Sequence, residues 1–90
     1  MRKCIITVVG KDQVGIIAKV CNYLAEANIN VLDISQTILD GYFNMMMVVD
    51  VAAAYRDFSV YAEDLDKLGE SMGLNIRCHR SEIFEKMHRL

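Results

Sequence analysis

Apolar residues recur along this 90-residue chain with two different spacings, and these spacings predict its strands and helices. Residues 4–9 form an almost continuous apolar run that stops at Gly10, which is typical of a central strand. Residues 14–27 repeat apolar positions at helical spacing, and their predicted buried stripe is Ile17, Val20, Cys21 and Leu24. Asn28 is predicted to end this helix, because asparagine tolerates the left-handed conformation.

Alternation at every second position predicts a hairpin in the middle of the chain. Residues 29–39 and 43–51 have the pattern of two strands, and the Asp40-Gly41 dipeptide between them is favoured in two-residue turns. The predicted core face of the later strand consists of Phe43, Met45, Met47, Val49 and Val51. We interpret the methionine run 45–47 as core filling rather than as a soft-metal site.

A second helix and a fourth strand follow the hairpin. Asp57 is predicted to cap the helix and Gly73 to end it. The helix positions predicted to face the core are Phe58, Tyr61, Ala62, Leu65, Leu68 and Met72. Residues 74–80 alternate as a strand, and Ser81 is predicted to begin a short amphipathic tail helix. The apolar residues of that tail are Ile83, Phe84, Met87 and Leu90.

The order β-α-β-β-α-β predicts an α+β fold of the ferredoxin-like, split βαβ kind, in a single domain of residues 1–90. Right-handed crossovers place two helices on one face of an antiparallel four-stranded sheet of order 4-1-3-2, to which the short C-terminal helix is added. The other sheet face is uncovered in a monomer, and the second strand offers both Val31 and Leu32. Exposed apolar surface of this kind predicts a homodimer or a higher homo-oligomer.

Charge and cysteine content narrow the class of protein. A net charge of −2 argues against a general nucleic-acid or anionic-membrane surface. The apolar run before Gly10 is too short for a signal peptide or a membrane span. Cys4, Cys21 and Cys78 lack CxxC spacing, which indicates reduced core thiols in a cytoplasmic protein. Cys78 and His79 are strand neighbours that point to opposite faces, so we predict no metal site and no cofactor.

The turn between the first strand and the first helix has the features of an anion site. Asp12 is predicted to be the helix N-cap, Gly10 is free to adopt a positive φ, and Gly15 puts no side chain on the first turn. Backbone N–H groups that lack an intrahelical acceptor, together with the helix dipole, can hold a carboxylate there. A sharp turn and close helix packing would explain the two glycines equally well.

The sequence resembles the ACT domain, the small effector-binding module of amino-acid metabolism. The stretches that carry the resemblance are Val-Val-Gly-Lys-Asp-Gln-Val-Gly-Ile-Ile at 8–17, Leu-Ala-Glu-Ala-Asn-Ile-Asn-Val at 24–31 and Asp33-Ile34. The stretches 33–37 and 83–87 are most similar to single-domain ACT proteins of an uncharacterised family. The family often has proline where this chain has Val14, a departure that changes neither the charge nor the turn.

The resemblance implies a dimer that binds a small ligand, often an amino acid, between the first β-α turn and the start of the second strand. The residues it implicates are Gly10, Asp12, Gln13, Val14, Gly15, Ile16, Asn30 and Asp33. Free N–H groups of Val14, Gly15 and Ile16 would receive an α-carboxylate. Asp33 or Asp12 would accept an α-ammonium, and Asn30 can both donate and accept. Asp12, Asn30 and Asp33 each also have a purely structural interpretation, which the sequence leaves open.

We therefore expect a non-enzymatic regulatory module that binds a small molecule and acts as an oligomer or in trans on a partner protein. The alternative is a small acylphosphatase-like enzyme that uses the same anion-binding turn. Acylphosphatases need an arginine in this turn, whereas the chain offers only Lys11. RNA-recognition domains share the topology but need aromatic rings on the central strands, and 4–8 and 74–76 contain none. No catalytic residue is assigned.

Overall fold

The computed structural model of the chain describes residues 2–80 and contains six regular elements in the predicted order. The elements are β1 (Lys3–Lys11), α1 (Ile16–Glu26), β2 (Asn30–Leu39), β3 (Tyr42–Asp50), α2 (Phe58–Met72) and β4 (Leu74–Arg80). The predicted tail helix that begins at Ser81 lies outside the described residues.

The four strands form one antiparallel sheet in the order β2-β3-β1-β4, which confirms the predicted order 4-1-3-2 counted from the opposite edge. One face of this sheet carries the core: alternate residues of β1, β3 and β4 pack against apolar positions of both helices. The strand residues of this core are Cys4, Ile6, Val8, Phe43, Met45, Met47, Val49, Leu74 and Ile76. The chain is therefore a ferredoxin-like α+β fold with both helices on the same face.

The core face predicted for β3 is confirmed at Phe43, Met45, Met47 and Val49, whereas Val51 lies beyond the end of the strand and is only partly buried. The stripe predicted for α1 is wrong at one position. Ile17 is 38% exposed, whereas Ile16 is 2% exposed and packs in the core. The reason is the helix start: α1 begins at Ile16, so its buried positions follow the spacing Ile16, Val20 and Leu24. Cys21 packs only against the margin of the core.

Local turn chemistry agrees with the sequence in the hairpin and at two helix ends. Asp40 and Gly41 have φ values of 53° and 79°, the two positive values that a type I′ hairpin turn requires. Asn28 and Gly73 also have positive φ, and each follows the end of a helix. Asp57 is the N-cap residue of α2 as predicted, but its side chain makes no capping hydrogen bond.

The sheet face opposite the helices is partly apolar within residues 2–80. Val9 and Met46 are both exposed on this face and flank the half-buried Val48 and Thr7. A β-bulge at Leu32 interrupts the register of β2, which is the edge strand and is exposed along most of its length. None of the helices described here is long and apolar enough to cross a membrane.

Candidate functional site

The turn between β1 and α1 is held in place from two sides. The backbone N–H of Asp12 donates a 2.9 Å hydrogen bond to the carbonyl oxygen of Gly41, at the tip of the β2–β3 hairpin. The side-chain Nε2 of Gln13 donates a 2.8 Å hydrogen bond to the carbonyl oxygen of Met72, in the last turn of α2. The turn is therefore positioned by a hairpin and by a helix that are distant from it in sequence.

The predicted capping role of Asp12 is wrong. The N-cap residue of α1 is Gly15, which lies in the left-handed region with φ 90°, and no side chain caps this helix. Hydrogen bonding to Gly41 holds the backbone of Asp12 beside the hairpin, three residues ahead of the cap position. Gly10 does not use its freedom to adopt a positive φ, because it continues β1.

Gly10 is required by close packing instead. A Cβ atom at this position would lie 2.5 Å from Leu74 Cδ2 and 3.2 Å from the Leu74 Cα, on the neighbouring strand β4. A side chain here would force the Leu74 side chain to move and the Leu74 backbone to shift by a few tenths of an ångström. Gly10 thus sets the distance between the two strands at the end of the sheet from which the turn leaves.

The N-terminus of α1 is open to an anion. Its first helical hydrogen bond runs from the N–H of Lys19 to the carbonyl oxygen of Gly15, over 3.0 Å. The N–H groups of residues 16–18 therefore have no acceptor within the helix, and the first turn carries no acidic residue. The sequence predicted that Val14, Gly15 and Ile16 would supply the free N–H groups. The donors begin two residues later in the structure, because the helix itself begins later.

The candidate residues of the turn differ in what they can offer a ligand. The side chain of Val14 is fully exposed, at 100%, whereas the side chain of Ile16 is buried in the core. Ile16 can therefore contribute only its backbone N–H. Gln13 already donates one N–H of its side-chain amide to Met72, which leaves its second N–H and its amide oxygen for other contacts.

Asn30 and Asp33 lie far from this turn in the same chain. Asn30 pairs with Asp50, and Asp33 pairs with Val48, which is opposite Ile5 on β1. Gly10 is five residues beyond Ile5, so at ~3.4 Å per residue Asp33 lies roughly 17 Å from the turn along the sheet. One copy of the chain does not bring the predicted site residues together.

Two cavities lie away from the β1–α1 turn. A shallow one of about 270 Å³ is on the helix-free face and includes Thr7, Ser35 and Met46. A larger one of about 650 Å³ is at the opposite end of the sheet, beside the start of β1. Within residues 2–80, no group of three or more His, Cys, Asp or Glu side chains is arranged to hold a metal ion.

Comparison with known proteins agrees with this architecture. Residues 2–79 match the family described as the ACT domain. A UPF0237 protein of Bifidobacterium longum (strain NCC 2705) is 63% identical over 90 residues, which cover all of both chains. The solved ACT domain protein from Streptococcus pneumoniae has a TM-score of 0.81 and 43% identity, and the match covers 93% of this chain and 94% of that one.

A solved formyltetrahydrofolate deformylase from Pseudomonas syringae pv. tomato is also similar, with a TM-score of 0.83 and 26% identity. The match covers 90% of this chain but only 28% of the deformylase, so there the domain is one part of a larger protein. The fold and the family match together define a small-molecule-binding regulatory module. The chain belongs to the ACT domain family, and its full-length relatives are the single-domain UPF0237 proteins.

Proposed function

We propose that this protein is a non-enzymatic regulatory module that binds an amino acid between two copies of the chain. The observation that carries the proposal is the uncapped N-terminus of α1, where residues 16–18 have free N–H groups and no acidic neighbour in the first turn. A helix terminus of this kind stabilises a carboxylate through direct hydrogen bonds and through the helix dipole.

The second half of the site comes from a second copy. β2 is an edge strand, and its apolar residues Ile38 and Leu39 are 60% and 74% exposed. Antiparallel pairing of two β2 strands would place the Leu39 end of one copy beside the Asn30 end of the other. The Asp12 backbone is hydrogen-bonded to Gly41 just beyond Leu39, so the turn of one copy would approach Asp33 of the other.

In this arrangement the two ends of an amino acid meet groups of opposite charge. The α-carboxylate binds the N–H groups of the first turn of α1, and the α-ammonium binds the exposed Asp33 carboxylate of the other copy. Asn30, also exposed, can accept from the ammonium or donate to the carboxylate. Because the ligand contacts both copies, its binding favours the dimer by mass action, and the dimer presents the surface that acts on a partner protein.

Differential scanning fluorimetry of the full chain against the twenty amino acids tests this function. We expect one amino acid or a small related group to raise the melting temperature, since a ligand at 100 times its Kd stabilises the native state by about 2.7 kcal/mol. Light scattering with and without that ligand should show more dimer in its presence. A flat response to all twenty would overturn the proposal.

A pair of variants at Val14 localises the binding. The side chain of Val14 is fully exposed next to the N-cap, so Val14→Asp sets a carboxylate beside the free N–H groups without disturbing the core. We expect Val14→Asp to abolish amino-acid binding and Val14→Asn, which has a similar size and no charge, to retain it. Equal binding by both variants would exclude this helix terminus as the carboxylate site.

A second pair tests the ammonium contact. Asp33→Asn removes the carboxylate that faces the other copy, and we expect a loss of affinity of at least tenfold. Asp66→Asn makes the same chemical change at an exposed position on α2 and serves as the matched control. Unchanged affinity of Asp33→Asn would assign Asp33 a structural role only.

A further inference from the structure

The cavity of about 650 Å³ lies at the end of the sheet opposite the β1–α1 turn. It is lined by the start of β1, the connector 51–57, the first turn of α2 and the last residue of β4. Its size is within the range of sites that hold small molecules. It shares no lining residue with the site proposed for the amino acid.

The walls of this cavity are positively charged although the protein is acidic. Four basic residues line it, namely Arg2, Lys3, Arg56 and Arg80, against the single carboxylate of Asp57. The whole chain, in contrast, has a net charge of −2. Arg56 already lies 3.8 Å from the Asp64 carboxylate, and Asp50 accepts hydrogen bonds from the backbone N–H groups of Arg2 and Ala52. The cations from three separate segments still outnumber these carboxylates, and a polyanion would neutralise the remaining positive charge.

The N-terminus of α2 adds backbone donors to the same cavity. Phe58 and Ser59, the first two residues of this 15-residue helix, line the cavity, and the first turn carries no acidic residue. The side chain of the N-cap residue Asp57 makes no capping hydrogen bond, so the N–H groups of the first turn are not occupied by it. Helix N-termini flanked by arginines are a recurrent way to bind phosphate.

Two of the guanidinium groups are already held in position. The Arg80 guanidinium carbon lies 4.7 Å from the centroid of the Phe58 ring. The Arg56 guanidinium stacks over Tyr23 at 5.3 Å and lies 3.8 Å from Asp64 Oδ2. Side chains that are ordered before a ligand arrives lose less conformational entropy when it binds. Stacking on Phe58 leaves the N–H edges of the Arg80 guanidinium available for paired hydrogen bonds with phosphate oxygens, whereas Arg56 already has Asp64 as a partner.

We propose that this cavity is a second ligand site, separate from the amino-acid site, and that it binds a phosphate-bearing small molecule. Phosphate matches the site because it carries more than one negative charge and several acceptor oxygens. A single carboxylate would leave most of the positive charge and most of the donors unpaired.

A buried thiol in the cavity wall supplies an internal reporter. Cys4 Sγ lies 3.6 Å from the hydroxyl oxygen of Tyr61. Hydrogen bonding with Cys78 lowers the pKa of Cys4 most, burial raises it, and Tyr61, Arg80 and Arg2 each lower it. Together these factors bring the pKa of Cys4 to about 6. A bound phosphate would add negative charge nearby, which disfavours the thiolate and slows its alkylation at neutral pH.

The test is calorimetric titration of the full chain with inorganic pyrophosphate, with citrate in a parallel experiment. We expect saturable, salt-sensitive binding of pyrophosphate and binding of citrate that is at least tenfold weaker. Absence of pyrophosphate binding at millimolar concentration would overturn the proposal. Equal affinity for citrate would overturn the assignment of the site to phosphate.

A matched pair of arginines on β4 locates the binding. Arg80 pairs with Cys4 and lines the cavity, whereas Arg77 pairs with Thr7 on the helix-free face. Arg80→Gln should weaken pyrophosphate binding at least tenfold, and Arg77→Gln should change it less than twofold. An equal loss in both variants would mean nonspecific attraction to basic residues and would exclude the cavity.

Two further readouts keep this proposal separate from the proposed function. Saturating pyrophosphate should slow iodoacetamide labelling of Cys4, followed by peptide mass spectrometry, while Cys21 on α1 keeps its rate. Val14→Asp should abolish amino-acid binding and leave pyrophosphate binding intact. Arg80→Gln should weaken pyrophosphate binding and leave amino-acid binding intact. Loss of pyrophosphate binding in Val14→Asp would contradict the assignment.

Discussion

The side-chain Nε2 of Gln13 donates a 2.8 Å hydrogen bond to the carbonyl oxygen of Met72, a residue 59 positions later in the chain. Met72 ends α2, where the last carbonyl groups lack helical donors. One side chain of the β1–α1 turn thus satisfies the end of the other helix. The geometry of the candidate ligand site therefore depends on the packing of α2.

Replacement of Gln13 by Glu tests this coupling. At neutral pH the carboxylate of Gln13→Glu has no proton to donate and faces the Met72 carbonyl, so we expect a loss of about 1–2 kcal/mol in the free energy of unfolding. When protonated, the introduced carboxyl regains a donor. Its folded-state pKa is therefore raised above the usual ~4.3, and the stability returns as the pH falls through that pKa.

Urea denaturation of the wild type and of Gln13→Glu between pH 4 and pH 7 measures this effect. Gln13→Met, which has a similar size and no donor at any pH, is the control. We expect the difference in the free energy of unfolding between Gln13→Glu and Gln13→Met to narrow or reverse as the pH falls toward 4. Parallel pH profiles for the two variants would show that the hydrogen bond to Met72 contributes nothing.

The close approach of β1 and β4 at Gly10 predicts the effect of one added methyl group. Gly10→Ala places a Cβ 2.5 Å from Leu74 Cδ2 and 3.2 Å from Leu74 Cα. We expect it to lower the free energy of unfolding by about 1–3 kcal/mol, the usual cost of overpacking.

A double-mutant cycle with Leu74→Ala separates the two contacts at Gly10. The smaller side chain removes the clash with Cδ2, so Gly10→Ala should cost less in that background than in the wild type. Chemical denaturation of the four proteins measures the coupling. If Gly10→Ala lowers the free energy of unfolding equally in both backgrounds, the destabilising contact is with the Leu74 backbone alone.

The hydroxyl of Tyr23 donates a 2.6 Å hydrogen bond to Asp64 Oδ2 and so joins α1 to α2. Tyr23→Phe should lower the free energy of unfolding by about 1 kcal/mol. This is at the low end of the range for a hydrogen bond to a charged acceptor, because both residues are only partly buried. Burial, followed by the hydrogen bond to Asp64, raises the pKa of Tyr23.

A raised folded-state pKa fixes the sign of the pH dependence at Tyr23. The contribution of the Tyr23–Asp64 hydrogen bond to the free energy of unfolding is fully present below the ordinary tyrosine pKa of ~10. It is lost as the pH rises through the higher folded-state pKa of Tyr23. The difference between wild type and Tyr23→Phe in guanidinium denaturation should therefore be constant from pH 7 to pH 9 and shrink above pH 10. A difference that grows above pH 10 would contradict the assigned cause.

The exposed edge of β2 predicts how copies of the chain associate. Ile38→Lys places a charge on the edge strand, and we expect it to shift the proposed dimer toward monomer in size-exclusion chromatography with light scattering. Met46→Lys puts the same charge on the helix-free face and should leave the dimer intact. Dissociation by Met46→Lys alone would move the interface from the edge to that face.

Local sequence was enough to predict the elements, their order and most of their ends. Strand periodicity, the Asp40-Gly41 turn and the left-handed residues Asn28 and Gly73 depend on steric and hydrogen-bonding preferences within a few residues. Sheet order followed as well, because few chain paths join six such elements without a left-handed crossover.

The start of α1 could not be predicted from local preferences. Asp12 is a good capping residue by type, but its backbone is held by Gly41, and Gly15 takes the cap position with φ 90°. With Gly15 as the cap, Ile16 rather than Ile17 is buried. The free N–H groups are those of residues 16–18 rather than 14–16. A contact with a distant hairpin thus outweighed the local preference.

The sequence by itself determined the class of fold and the family, because both are encoded in short-range patterns of apolar spacing, turn residues and the stretch around Gly10–Gly15. Only the tertiary structure decided which of the candidate residues can meet. Antiparallel register separates Asp33 from the turn by five strand positions, and β1, β4 and the connector bring Arg2, Arg80 and Arg56 to one cavity. Distances between residues far apart in sequence are set by strand pairing and packing, which no local pattern records.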